Sequence, residues 1–342
     1  MSLWGATVIT NLLSAIPVFG QDLVQLINNI INYKIYIIYN LLILFINNNK
    51  TNESKIISNL KLPTIGKVSH HALKKGNKEV RLNKEEYISI PYQFIAFLVG
   101  LIDGDGYIRI NKTTKGYISI NLVITLHLND ISTLEYIYSV LKLGRLTKSK
   151  DINRPTCQLV INKTDLQEVI FPLLKHHGIF FLTETRRNQF DKAMFILQKE
   201  IKLYEELDSS PSLISSMSVL PTTALEYVNL SFFKNWIVGF TNAEGSFFIK
   251  SNNDGCFQLK QRIHIELFES FKLIFNTERS ISFEKEKYAQ FSVSSKRDIQ
   301  TVINYFSFSG LHPLIGLKSI QYFKWLTSLK NSYRYNSLIF PD

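Results

Sequence analysis

Asp105 and Glu244 hold the same place in two copies of one short motif. The first copy reads Leu98-Val99-Gly100-Leu101-Ile102-Asp103-Gly104-Asp105-Gly106, and the second Ile237-Val238-Gly239-Phe240-Thr241-Asn242-Ala243-Glu244-Gly245. Each is an apolar stretch that stops at an acid followed by glycine. Two carboxylates in contact repel, and a pKa rises unless a cation lies between them. Oxygen ligands with open water positions suit Mg²⁺. A bound divalent ion can activate water, stabilise a departing 3′ oxygen and neutralise phosphate charge. In a basic protein that chemistry points to cutting a phosphodiester.

The acids meet only if the elements carrying them do. Gly100 and Gly104 are four apart, as are Gly239 and Ala243, and residues at that spacing share a helix face. A strip without bulky side chains lets two helix backbones approach closely. Leu98, Leu101, Ile237 and Phe240 are then expected in the core of their own copy, and Gly106 and Gly245 in the left-handed conformation that ends a helix.

From residue 91 the same order of elements runs twice. A motif helix (92–104; 232–243) leads into two strands (107–111 and 117–128; 246–251 and 256–266). A helix (131–142; 267–276) and two shorter strands follow (145–150 and 156–162; 280–285 and 288–294). Helices close each unit (165–175 and 184–199; 297–306 and 317–329). Asp130 and Gly144 are read as the N-cap and the stop of the first copy's middle helix. The divisions are 1–24, an apolar segment and linker at 25–90, repeats at 91–204 and 229–342, and a Pro- and Ser-bearing linker at 205–228.

The chain has 39 Lys and Arg against 28 Asp and Glu, a net charge of +11. Such an excess favours a polyanionic partner, nucleic acid or an anionic membrane surface; the alternative is solubility alone. Cys157 and Cys256 are too few and too far apart for a disulfide framework or a zinc site.

These duplicated motifs resemble those of the LAGLIDADG homing endonucleases in their single-chain, two-repeat form, over residues 91–342. The resemblance implies an α+β fold of two pseudo-symmetric αββαββα repeats. The motif helices pack at its centre, and a saddle-shaped antiparallel sheet sits on double-stranded DNA. It also implies a monomer that cleaves both strands with Mg²⁺, Mn²⁺ being able to substitute. Carried across, the metal-binding acids are Asp105 and Glu244, while Asp103 and Asn242 fall on a position that is more often structural. The family often supplies a lysine from each closing helix. Lys318 matches it in Gly316-Leu317-Lys318-Ser319, whereas the first copy offers Arg186, which gives charge without a titratable amine. Gln261 matches a glutamine that organises water near the metals. Alternatives remain open: a solvated helix lysine for Lys318, a satisfied core glutamine for Gln261.

Strand alternation indicates which side chains could read bases. In the first copy Tyr117, Ser119, Asn121, Thr125 and His127 oppose Ile118, Ile120, Leu122, Ile124 and Leu126. In the second, Gln258, Lys260, Arg262, His264 and Glu266 oppose Leu259, Ile263, Ile265 and Leu267. Arg and Lys suit guanine edges, Asn and Gln adenine. Arg109, Arg145, Lys148 and Lys250 could add phosphate contacts. A merely solvated sheet face would look the same.

Residues 3–24 resemble a stretch of cytochrome b, and the chain beyond reads like translated intron rich in Asn, Ile, Lys and Tyr. This implies a reading frame fused to an upstream exon in a mitochondrion. Membrane contact would come only through this amino-terminal segment, if it is retained. The setting raises a second reading, a maturase that binds its own intron RNA and assists splicing. Retention of both acids favours the nuclease.

Overall fold

Pairs of apolar residues three and four apart build the helices, and strict alternation builds the strands. The computed structural model describes residues 81–149, 151, 153–207 and 220–341. The cytochrome b-like segment, the apolar run after it and the middle of the linker at 208–219 lie outside the described residues. Among the described residues no helix is long and apolar enough to cross a membrane.

The first repeat runs α1 (Lys84–Ile88), α2 (Tyr92–Asp105), β1 (Gly106–Lys112), β2 (Ile118–His127), α3 (Ile131–Leu141), β3 (Arg145–Lys148), β4 (Thr156–Asn162), α4 (Phe171–His177) and α5 (Glu184–Gln198). The second runs α6 (Ala224–Asn229), α7 (Phe233–Glu244), β5 (Gly245–Ile249), β6 (Gly255–Arg262), α8 (Ile265–Ile274), β7 (Ser282–Glu284), β8 (Tyr288–Val293), α9 (Lys296–Ile303) and α10 (Gly316–Lys330). The two four-stranded sheets have the same antiparallel order, β1-β2-β4-β3 and β5-β6-β8-β7. This is the two-repeat α+β saddle expected from the resemblance.

In each sheet one face is apolar and buried. Ile118, Ile120, Leu122, Ile124 and Leu126 line it in β2, Phe257 and Leu259 in β6. Fully burying one such side chain contributes about 1.5–3 kcal/mol. The other face carries the polar partners: Arg109 pairs in register with Asn121 and then Asn162, and Ser246 with Gln258 and then Ser292.

The motif helices pack backbone on backbone. A Cβ on Gly100 would sit 2.0 Å from the Trp236 carbonyl oxygen, and one on Gly239 1.8 Å from that of Phe97. At the far end a Cβ on Gly104 would lie 2.3 Å from Cβ of Ala243. Leu98, Leu101, Ile237 and Phe240 are buried as expected.

Several local expectations are corrected. Gly106 and Gly245 are extended, at φ −100° and −82°, not left-handed. Glycine is needed there because a Cβ would strike Ile102 at 2.7 Å and Thr241 at 2.5 Å. Strand β6 ends at Arg262, so His264 is no sheet residue: it is the N-cap of α8. Asp130 is the N-cap of α3 as expected, but its side chain accepts from the Thr133 hydroxyl rather than from a backbone N–H of that helix. Lys142 takes the left-handed cap of α3, with Gly144 two residues beyond. Part of the stretch read as a linker, Ala224–Asn229, is helical and buries Tyr227. Before residue 91, α1 is closed by a reciprocal cap between Asn83 and Glu86 and buries Tyr87.

Candidate active site

Both motif helices terminate at the same end of the seam. A Cβ placed on Gly104 would meet Cγ of Glu244 at 3.1 Å, so the residue beside Asp105 touches the opposing acid. Asp105 and Glu244 are half-buried. Burial first, then the Asp105 charge, pushes Glu244 up to about 7. Burial pushes Asp105 up to about 6, with the Lys318 and Arg186 charges opposing the rise.

Those cations arrive from equivalent places. Arg186 and Lys318 are each the third residue of a closing helix, α5 and α10. The Arg186 Nε donates to the Ile102 carbonyl at 3.2 Å. The Lys318 ammonium donates to the Gly245 carbonyl, directly after Glu244. Burial lowers the pKa of both, while Asp105 and Glu244 work against that shift.

The first acid of the motif serves a different purpose. Asp103 is 2% exposed and accepts from Leu182 N–H at 2.8 Å, Thr183 N–H at 3.1 Å, the Thr183 hydroxyl at 2.6 Å and Trp236 Nε1 at 2.7 Å. It thereby anchors the start of α5 and a ring from the other repeat. Burial still pushes it up to about 6. Asn242 does the matching work for α10, accepting from Ile315 N–H at 2.9 Å. An amide suffices because the task is to accept a hydrogen bond.

Gln261 falls on the apolar face, opposite Ala289, and finds its partner at the seam: its Nε2 donates to Glu244 Oε1 at 2.7 Å. Gly106 faces Ile124 as Gly245 faces Leu259, so the matching place in the first sheet holds Leu126. An open groove of about 590 Å³ lies beside Glu244, lined by Ser246, Gln258, Lys260, Gln261, Tyr288 and Lys318. A larger, apolar cavity of about 670 Å³ lies between α4 and α5, where Phe171, Phe190 and Met194 line it; none of its residues belongs to the seam.

The residues expected to read bases or contact phosphates divide. Ser119, Asn121, Arg109 and Arg145 share the polar face of the first sheet by register, and Gln258, Lys260 and Arg262 that of the second, while Tyr117 precedes β2 and bridges to Leu203. Lys250 lies just past β5 and donates to Ser294 Oγ at 3.2 Å. Two do not fit. Lys148 pairs with buried Cys157, which puts it on the opposite face from Arg145. His264 accompanies the Tyr227 hydroxyl at 2.9 Å. Lys260 is already ion-paired with Glu284 and lies 5.5 Å from the Tyr288 ring centre. Sequence reasoning missed Trp236, Glu284 and Tyr288; long-range pairing brings each into place, and no local spacing signals it.

Two carboxylates raised by burial, Glu244 also by the Asp105 charge and Asp105 by that of Asp130, form a donor set that a hard divalent cation fits. Among the described residues no cluster of three or more His, Cys, Asp or Glu could hold an ion. Asp105 and Glu244 are the residues of the seam that could hold one.

Known proteins resemble this chain in sequence and fold. The chain is 26% identical over 276 residues to the probable intron-encoded endonuclease Cox1-I1b of Schizosaccharomyces pombe, covering 72% of this chain and 67% of that protein. It is 24% identical to the probable intron-encoded endonuclease aI3 of Debaryomyces hansenii, of which it spans only 38%. A stretch of 27 residues, 8% of this chain, is 93% identical to cytochrome b of Strobilurus tenacellus and covers 7% of it. The fold is similar to I-SmaMI bound to an uncleaved DNA target (TM-score 0.54, 21% identity, 69% of this chain and 90% of that one). It is also similar to the LAGLIDADG homing endonuclease I-LtrWI bound to target DNA (TM-score 0.52, 20% identity, 69% and 89%). Residues 98–202 and 237–329, which hold both acid-glycine motifs, both sheets and nearly all of both closing helices, match the LAGLIDADG endonuclease family, and the chain is a nuclease that belongs to it.

Proposed function

We propose that the protein is a monomeric, site-specific endonuclease that cuts double-stranded DNA with a divalent metal, Mg²⁺ by preference, and promotes homing of its host mitochondrial intron. The observation that supports this reading is that the two motif helices end side by side, with Gly104 against Ala243 and Glu244, Glu244 in electrostatic reach of Asp105, and an open groove beside Glu244.

Asp105 and Glu244 would hold the ion, which supplies charge neutralisation and an acidified water when bound. Lys318 and Arg186 place positive charge where a pentacoordinate phosphate gathers negative charge. Gln261 fixes the Glu244 carboxylate by its amide and offers a polar edge to nearby water. Arg109, Asn121, Gln258 and Arg262 present donors and acceptors to a major groove, and Arg145 and Lys250 face phosphates.

The test is incubation of the full chain with an intronless cytochrome b gene, with Mg²⁺ and with chelator. A staggered break at one position, only with metal, is expected. Metal-independent or scattered cutting would refute the reading. The cytochrome b match favours a second role, assistance to splicing of that intron through its RNA. A splicing assay on the intron transcript separates the two, because splicing has no need of Asp105 or Glu244.

A further inference from the structure

The two halves of the site are not equally supported. In the second repeat, the helix carrying Lys318 begins against a residue of the first repeat. Asp130 Oδ1 accepts from Leu317 N–H at 2.8 Å and from the Thr133 hydroxyl at 2.9 Å. Between them lies Gly316, at φ +57°, so close that a Cβ would sit 2.1 Å from Asp130 Oδ1 and 2.0 Å from Thr133 Oγ1. Asp130 is also within electrostatic reach of both Lys318 and Asp105. A carboxylate at this place complements the positive end of α10. It fixes the first turn, where Lys318 is the third residue.

The matching place on the other side carries a charge contact rather than a hydrogen bond to the helix start: Glu184, the first residue of α5, acts on His264. The residue equivalent to Asp130 is His264, the N-cap of α8, and its ring is turned to the Tyr227 hydroxyl. The cation there is Arg186, held by the Ile102 carbonyl of its own repeat.

We propose that Asp130 is a positioning residue: it couples the repeats by clamping the start of α10, so that placement of Lys318, and with it cleavage of one DNA strand more than the other, depends on the first repeat. This rests on the nuclease reading above and deepens it. The clamp acts through an accepted hydrogen bond, so an amide oxygen can replace the carboxylate.

The experiment follows a supercoiled plasmid bearing the target through nicked to linear forms. Asp130→Ala is expected to slow one strand by about tenfold or more, with nicked plasmid accumulating and affinity within about threefold. Asp130→Asn should stay within about threefold of wild type on both strands. Asp130→Ala combined with Lys318→Ala should be no slower than Lys318→Ala alone, since residues acting as a unit are not additive. Should Asp130→Ala fail to fold, Gly316→Ala, which drives a methyl into the same carboxylate, must reproduce the strand bias. Equal slowing of both strands, wild-type rates in Asp130→Ala, or multiplicative effects in the double variant would overturn the clamp.

Amide exchange on the metal-free full chain reads the clamp without cleavage. Protection of Leu317 N–H should fall by about tenfold in Asp130→Ala and persist in Asp130→Asn. Unchanged protection overturns the proposal. Lost protection in a protein whose wild type cuts no duplex would leave the clamp standing and overturn the nuclease reading instead.

Discussion

Asp105 and Glu244 are costly residues for the metal-free protein, because both are half-buried and share one end of a seam. Their pKa values rise to about 6 and about 7. The unfolded chain therefore releases these protons at lower pH than the folded one. The contribution is fully favourable below about pH 4 and is lost as pH climbs through 6 to 7, roughly 3 kcal/mol per group as an upper figure before solvent screening reduces it. Denaturant titration of the metal-free protein between pH 4.5 and 7.5 should show that decline in wild type and a smaller one in Glu244→Gln. Cleavage should run the other way, rising across the same interval as the carboxylates become free to bind metal. A flat rate profile from pH 5.5 to 8 would contradict the assignment. Asp105→Asn or Glu244→Gln should abolish cutting while DNA affinity stays within about tenfold, roughly 1.4 kcal/mol, as gel-shift titration would report. Asp103 answers to a different measurement. Asp103→Ala strands the donors of Leu182, Thr183 and Trp236 in the interior, at a cost of about 3–5 kcal/mol in a urea titration. The chemistry of the outer acids was legible in the sequence because type and spacing carried it. The anchoring by Asp103 came only by resemblance, since its partners are distant in the chain.

The motif helices show what element-level patterns can and cannot tell. The four-residue spacing of Gly100 and Gly104, and of Gly239 and Ala243, announced a close seam, and the carbonyls of Trp236 and Phe97 occupy the space those glycines leave. Alternation gave the buried face of β2 residue by residue. It misled after Arg262, because Ile263 and Ile265 continue the alternation while the backbone turns into α8, and both end up exposed. Alternation does put Lys148, three residues past Arg145, on the opposite face, and the register agrees. The seam itself is testable. Gly100→Ala or Gly239→Ala drives a methyl into backbone that has no side-chain freedom to yield, so destabilisation of about 3 kcal/mol or more and loss of cleavage are expected. Gly116 is the control: it is left-handed at φ +84° with nothing within 4 Å. Gly116→Ala should cost only about 1 kcal/mol and leave cleavage intact, as chemical denaturation and a plasmid assay would show.

At the scale of the whole molecule, one chain joins two sheets of the same topology and different surface. Arg109, Asn121 and Arg145 on the first answer to Gln258, Lys260 and Arg262 on the second. A symmetric backbone with an asymmetric surface favours an asymmetric target. Phosphate contacts contribute to any duplex and weaken with salt, whereas contacts to base edges distinguish sequences. Each wrong base pair in a specific site typically costs about 1–3 kcal/mol. A palindrome made by duplicating either half of the natural target places one sheet on the wrong half-site, with several such mismatches at once. At a fixed 150 mM salt, chosen as about physiological ionic strength, both palindromes should bind at least about a hundredfold more weakly than the natural site. Raising the salt should weaken natural and palindromic duplexes with similar slopes, since the phosphate contacts are common to both. Fluorescence anisotropy with the three duplexes checks this directly. Equal affinity for a palindrome would mean that the sheets do not read sequence separately, and specificity would then have to come from how the duplex bends over the seam between them.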